Sequence, residues 1–213
     1  MVLYYITDRC AFRGDERALR HRLLDKIAEA AAFGVNYIQL REKDMSAREF
    51  ESLARQAMKI LGERTAAWEP KTALLINSRT DIALAVGAAG IHLRGDDVSP
   101  EDFRAAWKSA EPAPLIGVSC HTKEEVSVAA ANGVSFAVFG PVFEKKGAQA
   151  SAATGVRALS EACRPNINIP VLALGGVTLQ NAATCLQAGA AGIAAIRLFQ
   201  ENDIATIVRA LRG

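Results

Sequence analysis

Four stretches decide the fold: AAAFGVNYIQL (Ala30 to Leu40), AVGAAGIHL (Ala85 to Leu93), AAANGVSFAVF (Ala129 to Phe139) and LQAGAAGIAAI (Leu186 to Ile196). Each runs from an Ala-rich helical end through a glycine and two or three further residues into a short apolar run. Gly34, Gly87, Gly133 and Gly189 stand where a helix takes a left-handed cap before the chain turns. Each phrase therefore predicts a junction from helix to strand. Short, nearly continuous apolar runs bounded by turn residues fit parallel strands covered on both faces.

Working outward, similar runs predict strands near Leu3 to Thr7, Tyr37 to Leu40, Ala73 to Asn77, Gly90 to Leu93, Pro114 to Ser119, Phe136 to Phe139, Pro170 to Leu174 and Gly192 to Ile196. Helical patterns between them include Asp15 to Phe33, Ser46 to Gly62, Glu101 to Ala110, Thr122 to Asn132, Thr178 to Gln187 and Asp203 to Leu211. Several open on Ser, Thr or Asp in capping positions. Eight strands alternating with helices predict an α/β chain folded as one (β/α)8 TIM barrel domain over residues 1–213. The runner-up is an open doubly wound sheet. Its glycine fingerprint after the first strand is missing between Thr7 and Gly14.

Composition narrows the partners. Half of the 213 residues are hydrophobic, which suffices for one sizeable core. The 25 basic and 23 acidic side chains are interspersed, so neither nucleic acid nor an anionic membrane is the expected partner. No basic leader or membrane-length apolar run is present, and cytoplasmic localisation is expected. Cys10, Cys120, Cys163 and Cys185 lie far apart without zinc spacing and read as small hydrophobes in a reducing compartment. The oligomeric state stays open, a homo-oligomer included.

In a barrel of this kind the active site lies at the carboxyl ends of the strands. Gln39 and Arg41 alternate on strand two, so both are expected to face the mouth, where an arginine suits an anion. The Gly175-Gly176 turn, with a helix opened by Thr178 and with Arg197 nearby, is the expected phosphate site. His121, ending strand five beside Ser119, is the expected acid/base. His92 reads as a packed, hydrogen-bonded core residue. Asp96 and Asp97 are magnesium candidates, but no second carboxylate follows strand three. The Lys145/Lys146 loop adds charge to the same rim.

Six ordered motifs carry a resemblance. They are Gln39-Leu40-Arg41-Glu42-Lys43-Asp44, the run from Asn77 to Leu84, Gly90-Ile91-His92-Leu93, Gly117 to Thr122, Phe139-Gly140-Pro141-Val142-Phe143, and Leu174-Gly175-Gly176-Val177. Together the chain resembles the thiamine phosphate synthase/TenI family, which implies a (β/α)8 barrel in thiamine biosynthesis acting on a small phosphorylated heterocycle, a thiazole phosphate. The family's synthases join a pyrimidine diphosphate to a thiazole phosphate, with magnesium held by two aspartates. Gln39, Arg41, Lys43, Asn77 and Ser119 match their substrate-binding positions, and Asp97 matches the second metal aspartate. Ser78 stands where the first metal aspartate belongs, Arg94 and Gly95 replace Gly and Gln, Glu144 to Ala148 replaces a Thr-rich loop, and Ile196-Arg197 replaces Val-Ser.

TenI-like members keep the barrel and phosphate loop but lose the metal carboxylates, and the Asn77 to Leu84 stretch and the Val142-Phe143-Glu144 loop look TenI-like. They isomerise a carboxythiazole phosphate with a histidine, matched by His121, and use no metal. On the motifs, a thiazole tautomerase with His121 as acid/base is the favoured expectation. The alternative is a thiamine phosphate synthase with magnesium, followed by a non-catalytic phosphate-ligand-binding relative or a barrel enzyme for a different phosphorylated substrate.

Overall fold

A computed structural model describes residues 1–64, 72–107, 112–144, 152–164 and 167–213. Eight parallel strands close a ring: β1 (Val2–Ile6), β2 (Tyr37–Leu40), β3 (Ala73–Asn77), β4 (Gly90–Leu93), β5 (Leu115–Cys120), β6 (Phe136–Phe139), β7 (Val171–Leu174) and β8 (Gly192–Ala195). Each pairs with the next, and β8 returns to β1 in the register Val2 with Gly192 and Tyr4 with Ala194. The expected barrel is therefore present, and every predicted strand lies within a residue or so of its place.

The helices are α1 (Glu16–Ala32), α2 (Ala47–Arg64), α3 (Thr80–Val86), α4 (Pro100–Ala106), α5 (Lys123–Ala131), α6 (Gly155–Ala162), α7 (Ala182–Gln187), α8 (Arg197–Gln200) and α9 (Ile204–Arg212). Asp15, Ser99, Thr122 and Asp203 cap α1, α4, α5 and α9, each accepting a backbone N–H three residues on. Such a cap contributes about 1 kcal/mol. The junction glycines have φ of +76° at Gly34, +64° at Gly87, +63° at Gly133 and +103° at Gly189, the conformation their cap role demands.

One expected helix start is wrong. The Thr178 to Gln187 pattern yields a helix beginning at Ala182, because Asn181 folds back on the preceding turn. Its Oδ1 accepts Thr178 N–H at 2.7 Å and its Nδ2 donates to Gly176 O at 3.0 Å. The helix expected to reach Ala110 has ended by Trp107, whose N–H bonds Phe103 O; residues 108–110 lie outside those described. Alternation sorts the strands into two hydrophobic sets. Leu3, Tyr5, Ile38, Leu40, Leu74, Ile76, Ile91 and Leu93 face the helices. Tyr4, Ile6, Leu75, Phe136, Val138, Leu172 and Ala194 fill the ring itself.

Candidate active site at the barrel mouth

The ring is plugged from below by aromatics. Tyr37 stacks on Phe136 with centroids 5.1 Å apart, and Tyr4 meets Phe136 edge-on at 5.3 Å. Above this floor lies a buried polar chain. Gln39 Nε2 donates to Tyr4 Oη at 3.0 Å, Tyr4 Oη lies 3.1 Å from His92 Nδ1, and His92 Nε2 lies 2.9 Å from Ser119 Oγ. Strand register makes this possible by setting His92 beside Asn77 on one side and Gly117 on the other. Gly117 is needed there: a Cβ would sit 2.5 Å from the Phe136 ring and 2.9 Å from His92 Nδ1.

His92 is thus the satisfied core histidine expected, and burial pushes its pKa down to about 3, with Arg41 adding to the effect and Asp97 opposing it. Burial likewise raises the Tyr4 phenol far above its usual range. Gln39 differs from expectation. It points into the barrel but is buried at 2% exposure, with its amide nitrogen spent on Tyr4 rather than offered at the mouth.

At the β3 and β4 ends, Ser78 adopts a φ of +60°. Asn77 Nδ2 donates to Ser78 Oγ at 3.0 Å, and Ser78 Oγ donates to Asp97 Oδ2 at 2.7 Å. Asp97 also accepts Arg94 N–H at 2.7 Å and lies 3.5 Å from the Arg94 guanidinium, which reaches Asp96 at 3.3 Å and Ser78 Oγ at 3.2 Å. Magnesium wants carboxylate oxygens free to face it. Here Asp97 is committed to a hydroxyl, a backbone N–H and a guanidinium. Among the described residues no three His, Cys, Asp or Glu side chains converge into a metal set. The residues present do not fit a two-carboxylate magnesium site.

Arg41, after β2, is half-buried, and its guanidinium has no hydrogen bond or ion pair among the described residues. Burial lowers its pKa, Arg94 adds repulsion, and Asp8 and Glu42 act in the opposite sense. Two guanidiniums therefore share one rim, one of them without a partner among the described residues. Lys43, two residues on from Arg41, is exposed. The Arg41 backbone is fixed from below: its N–H donates to Thr7 Oγ1 at 2.9 Å, and Thr7 Oγ1 donates to Glu42 Oε1 at 2.6 Å.

Glu42 is buried and accepts Arg9 N–H at 2.9 Å and Arg9 Nη1 at 3.3 Å. Arg9 in turn binds Asp44 at 2.6 and 3.0 Å and Glu16 at 3.1 Å. Burial raises the Glu42 pKa against the pull of Thr7 and Arg9, while Arg9 holds Asp44 down to about 2. Sequence reading missed this network. Its trace was an acid alternating with Arg41 and Lys43, and so facing away from the mouth.

On the opposite rim, His121 follows β5. Its N–H donates to Glu125 Oε2 at 2.6 Å, and its Nδ1 lies 2.5 Å from Gly140 O. A carbonyl only accepts, so Nδ1 is the donor in this bond; in the neutral tautomer that leaves the lone pair on Nε2. Gly175 and Gly176, at φ of +97° and +63°, pack against the segment after β6. A Cβ on Gly175 would meet Pro141 at 2.6 Å and one on Gly176 would meet Phe143 at 2.7 Å. Phe143 N–H donates to Gly175 O at 3.0 Å, whereas the N–H groups of Gly176 and Val177 have no partner among the described residues. Arg197 opens α8, but its side chain is exposed and lies 3.7 Å from Glu201, one turn along. Lys145 and Lys146 lie outside the described residues.

The chain is an eight-stranded parallel (β/α)8 barrel with cations at the carboxyl ends of its strands, the end at which barrels of this class carry their active sites. The comparisons make this specific. The family described as "Thiamine monophosphate synthase" matches residues 3–199, and the chain belongs to that family. It is 43% identical to the "Putative thiamine-phosphate synthase" of Geobacter sulfurreducens, over 91% of this chain and 84% of that one. It is 36% identical to the thiamine-phosphate synthase of Roseiflexus castenholzii, over 92% of this chain and 79% of that one. Among solved structures, thiamine phosphate pyrophosphorylase from Pyrococcus furiosus superposes with a TM-score of 0.79 at 27% identity, covering 99% and 93% of the two chains. These names favour the synthase over the tautomerase that the motif departures suggested. Among the described residues, no helix is long and apolar enough to cross a membrane.

Proposed function

We propose that the chain is a thiamine-phosphate synthase, joining a pyrimidine diphosphate to a thiazole phosphate at the barrel mouth and releasing diphosphate. The carrying observation is Arg41, a half-buried cation without a partner among the described residues, held beside Arg94. A folded chain tolerates that arrangement where an anion completes it. A departing diphosphate gathers charge in the transition state, and preorganised guanidiniums stabilise that charge without reorganising. Asn77 and Ser119 orient the pyrimidine, Lys43 reaches over the rim, and Gly176 and Val177 N–H groups hold the thiazole phosphate. High coverage of relatives named for this reaction supports the assignment. Asp97, already engaged by Ser78 and Arg94, is not free to hold magnesium here.

A second reading has its own observation. His121, with Nδ1 spent on Gly140 O and Nε2 keeping its lone pair, is set up as a base for tautomerising a carboxythiazole phosphate without a metal. One experiment separates the readings: purified protein is given each substrate set, with magnesium and with EDTA, and both diphosphate release and thiazole isomerisation are followed. Diphosphate release that depends on both substrates supports the synthase. Isomerisation abolished by His121→Ala, with no diphosphate released, overturns it in favour of the tautomerase. Binding of thiazole phosphate with neither turnover identifies a silent phosphate-binding relative.

A further inference from the structure

His92 takes part in neither reaction above, yet it is the only buried histidine among the described residues, and both of its nitrogens are engaged. The polarity of its hydrogen bonds follows from the far end of the chain. Gln39 Nε2 donates to Tyr4 Oη, so the single phenolic hydrogen is free to point onward to His92 Nδ1. Nδ1 is then the acceptor, and the ring hydrogen must sit on Nε2, which donates to Ser119 Oγ. A serine hydroxyl has one hydrogen. With one of its two lone pairs taken by His92, and with no other partner among the described residues, that hydrogen is left over at the mouth.

We propose that His92 is a positioning residue, locked as the Nε2–H tautomer by Tyr4, which frees the Ser119 hydrogen to donate to an acceptor atom of the bound substrate. Specificity follows from this polarity. A ligand presenting an oxygen or ring nitrogen lone pair to Ser119 pairs with that hydrogen, and one presenting only an N–H or O–H there leaves it without an acceptor. Gly117 belongs to the device, because any side chain at that position would displace the His92 ring. Each bond in such a chain polarises the next, so the terminal hydroxyl is a better donor than an isolated serine. The relay reaches the substrate through Ser119 alone, so His92 itself touches no reacting atom. The proposal deepens the synthase reading in its kinetic arm only.

The first test needs no substrate. Long-range proton–nitrogen correlation spectra of the uniformly nitrogen-15-labelled protein report which ring nitrogens carry hydrogen, with His92 assigned against His21 and His121. Between pH 6 and 8, as two test points spanning about neutral, the expected signature is a protonated Nε2 and a bare Nδ1. A bare Nε2, or a doubly protonated ring, overturns the proposal. In Tyr4→Phe the lock is gone, and the expected result is a mixed tautomer population; an unchanged one also overturns it. The kinetic arm is a double-mutant cycle on kcat/KM with pyrimidine diphosphate and thiazole phosphate. Ser119→Ala and Tyr4→Phe should each lower it by about three- to tenfold, and the second loss should vanish when the first is present. Losses that multiply show that Tyr4 acts through general stability and overturn the relay. Because the spectra are read without turnover, failure of the synthase reading and failure of the relay are told apart.

Discussion

Replacing Arg41 by Met separates what this residue does for the fold from what it does for a ligand. The guanidinium is half-buried and gains no hydrogen bond among the described residues; its lost hydration outweighs the attraction of Asp8 and Glu42, and Arg94 repels it. Met keeps much of the length and removes the charge, so the variant should be more stable than the parent. Relieving a functional site of this kind commonly yields about 0.5–2 kcal/mol. For a chain of 213 residues, each 1 kcal/mol moves the melting temperature by about 2–4 °C. Affinity should move the other way. Hydrogen bonds to a charged group contribute about 1.5–3 kcal/mol, so an anion gripped by Arg41 should weaken by about tenfold to a hundredfold. Thermal unfolding by circular dichroism, paired with calorimetric titration of inorganic pyrophosphate, reads both quantities. A variant that melts lower than the parent, or that binds pyrophosphate as well, would refute the reasoning and make Arg41 a structural residue.

Three further outcomes follow from the same geometry. Gly117→Ala drives a methyl into Phe136 and His92; overpacking of this kind should cost about 1–3 kcal/mol, read as a lower urea midpoint at constant slope. Arg9→Met strands the buried Glu42 carboxylate and should cost about 3–5 kcal/mol, while Arg9→Met combined with Glu42→Gln should recover much of that loss in thermal melts. His92 is held neutral down to about pH 3, whereas an unfolded histidine takes up a proton near pH 6.5. The depressed folded pKa means its contribution is present above about 6.5 and is lost as pH falls toward 3, at up to about 1.4 kcal/mol per unit. Urea unfolding stepped from neutral to acid should show that slope in the parent and lose it in a folded His92→Gln variant.

The barrel was legible because its signals are local. Helix periodicity, the cap residues Asp15, Thr122 and Asp203, and the four junction glycines act within a few neighbouring positions. Any chain carrying them in that order meets the same backbone constraints. The alternation of Gln39 and Arg41 likewise placed both side chains inside the ring. The one misplaced helix start, at Thr178, failed for a local reason too: Asn181 competed for the turn and won.

What each polar side chain does at the mouth was decided elsewhere. Tyr4 and His92 are 88 positions apart, Thr7 and Glu42 are 35, and Ser78 and Asp97 are 19. The register of closed parallel strands brings each pair within hydrogen-bond distance. Sequence spacing offered Asp97 as a metal ligand and Gln39 as a substrate contact. The folded ring gave Asp97 to Ser78 and Arg94, and Gln39 to Tyr4, because a buried polar atom must find a partner and the nearest one across the barrel is supplied by another strand. Sequence alone determined that there is a mouth and that it is cationic. Tertiary structure decided which of its charges are paired and that, among the described residues, Arg41 is not.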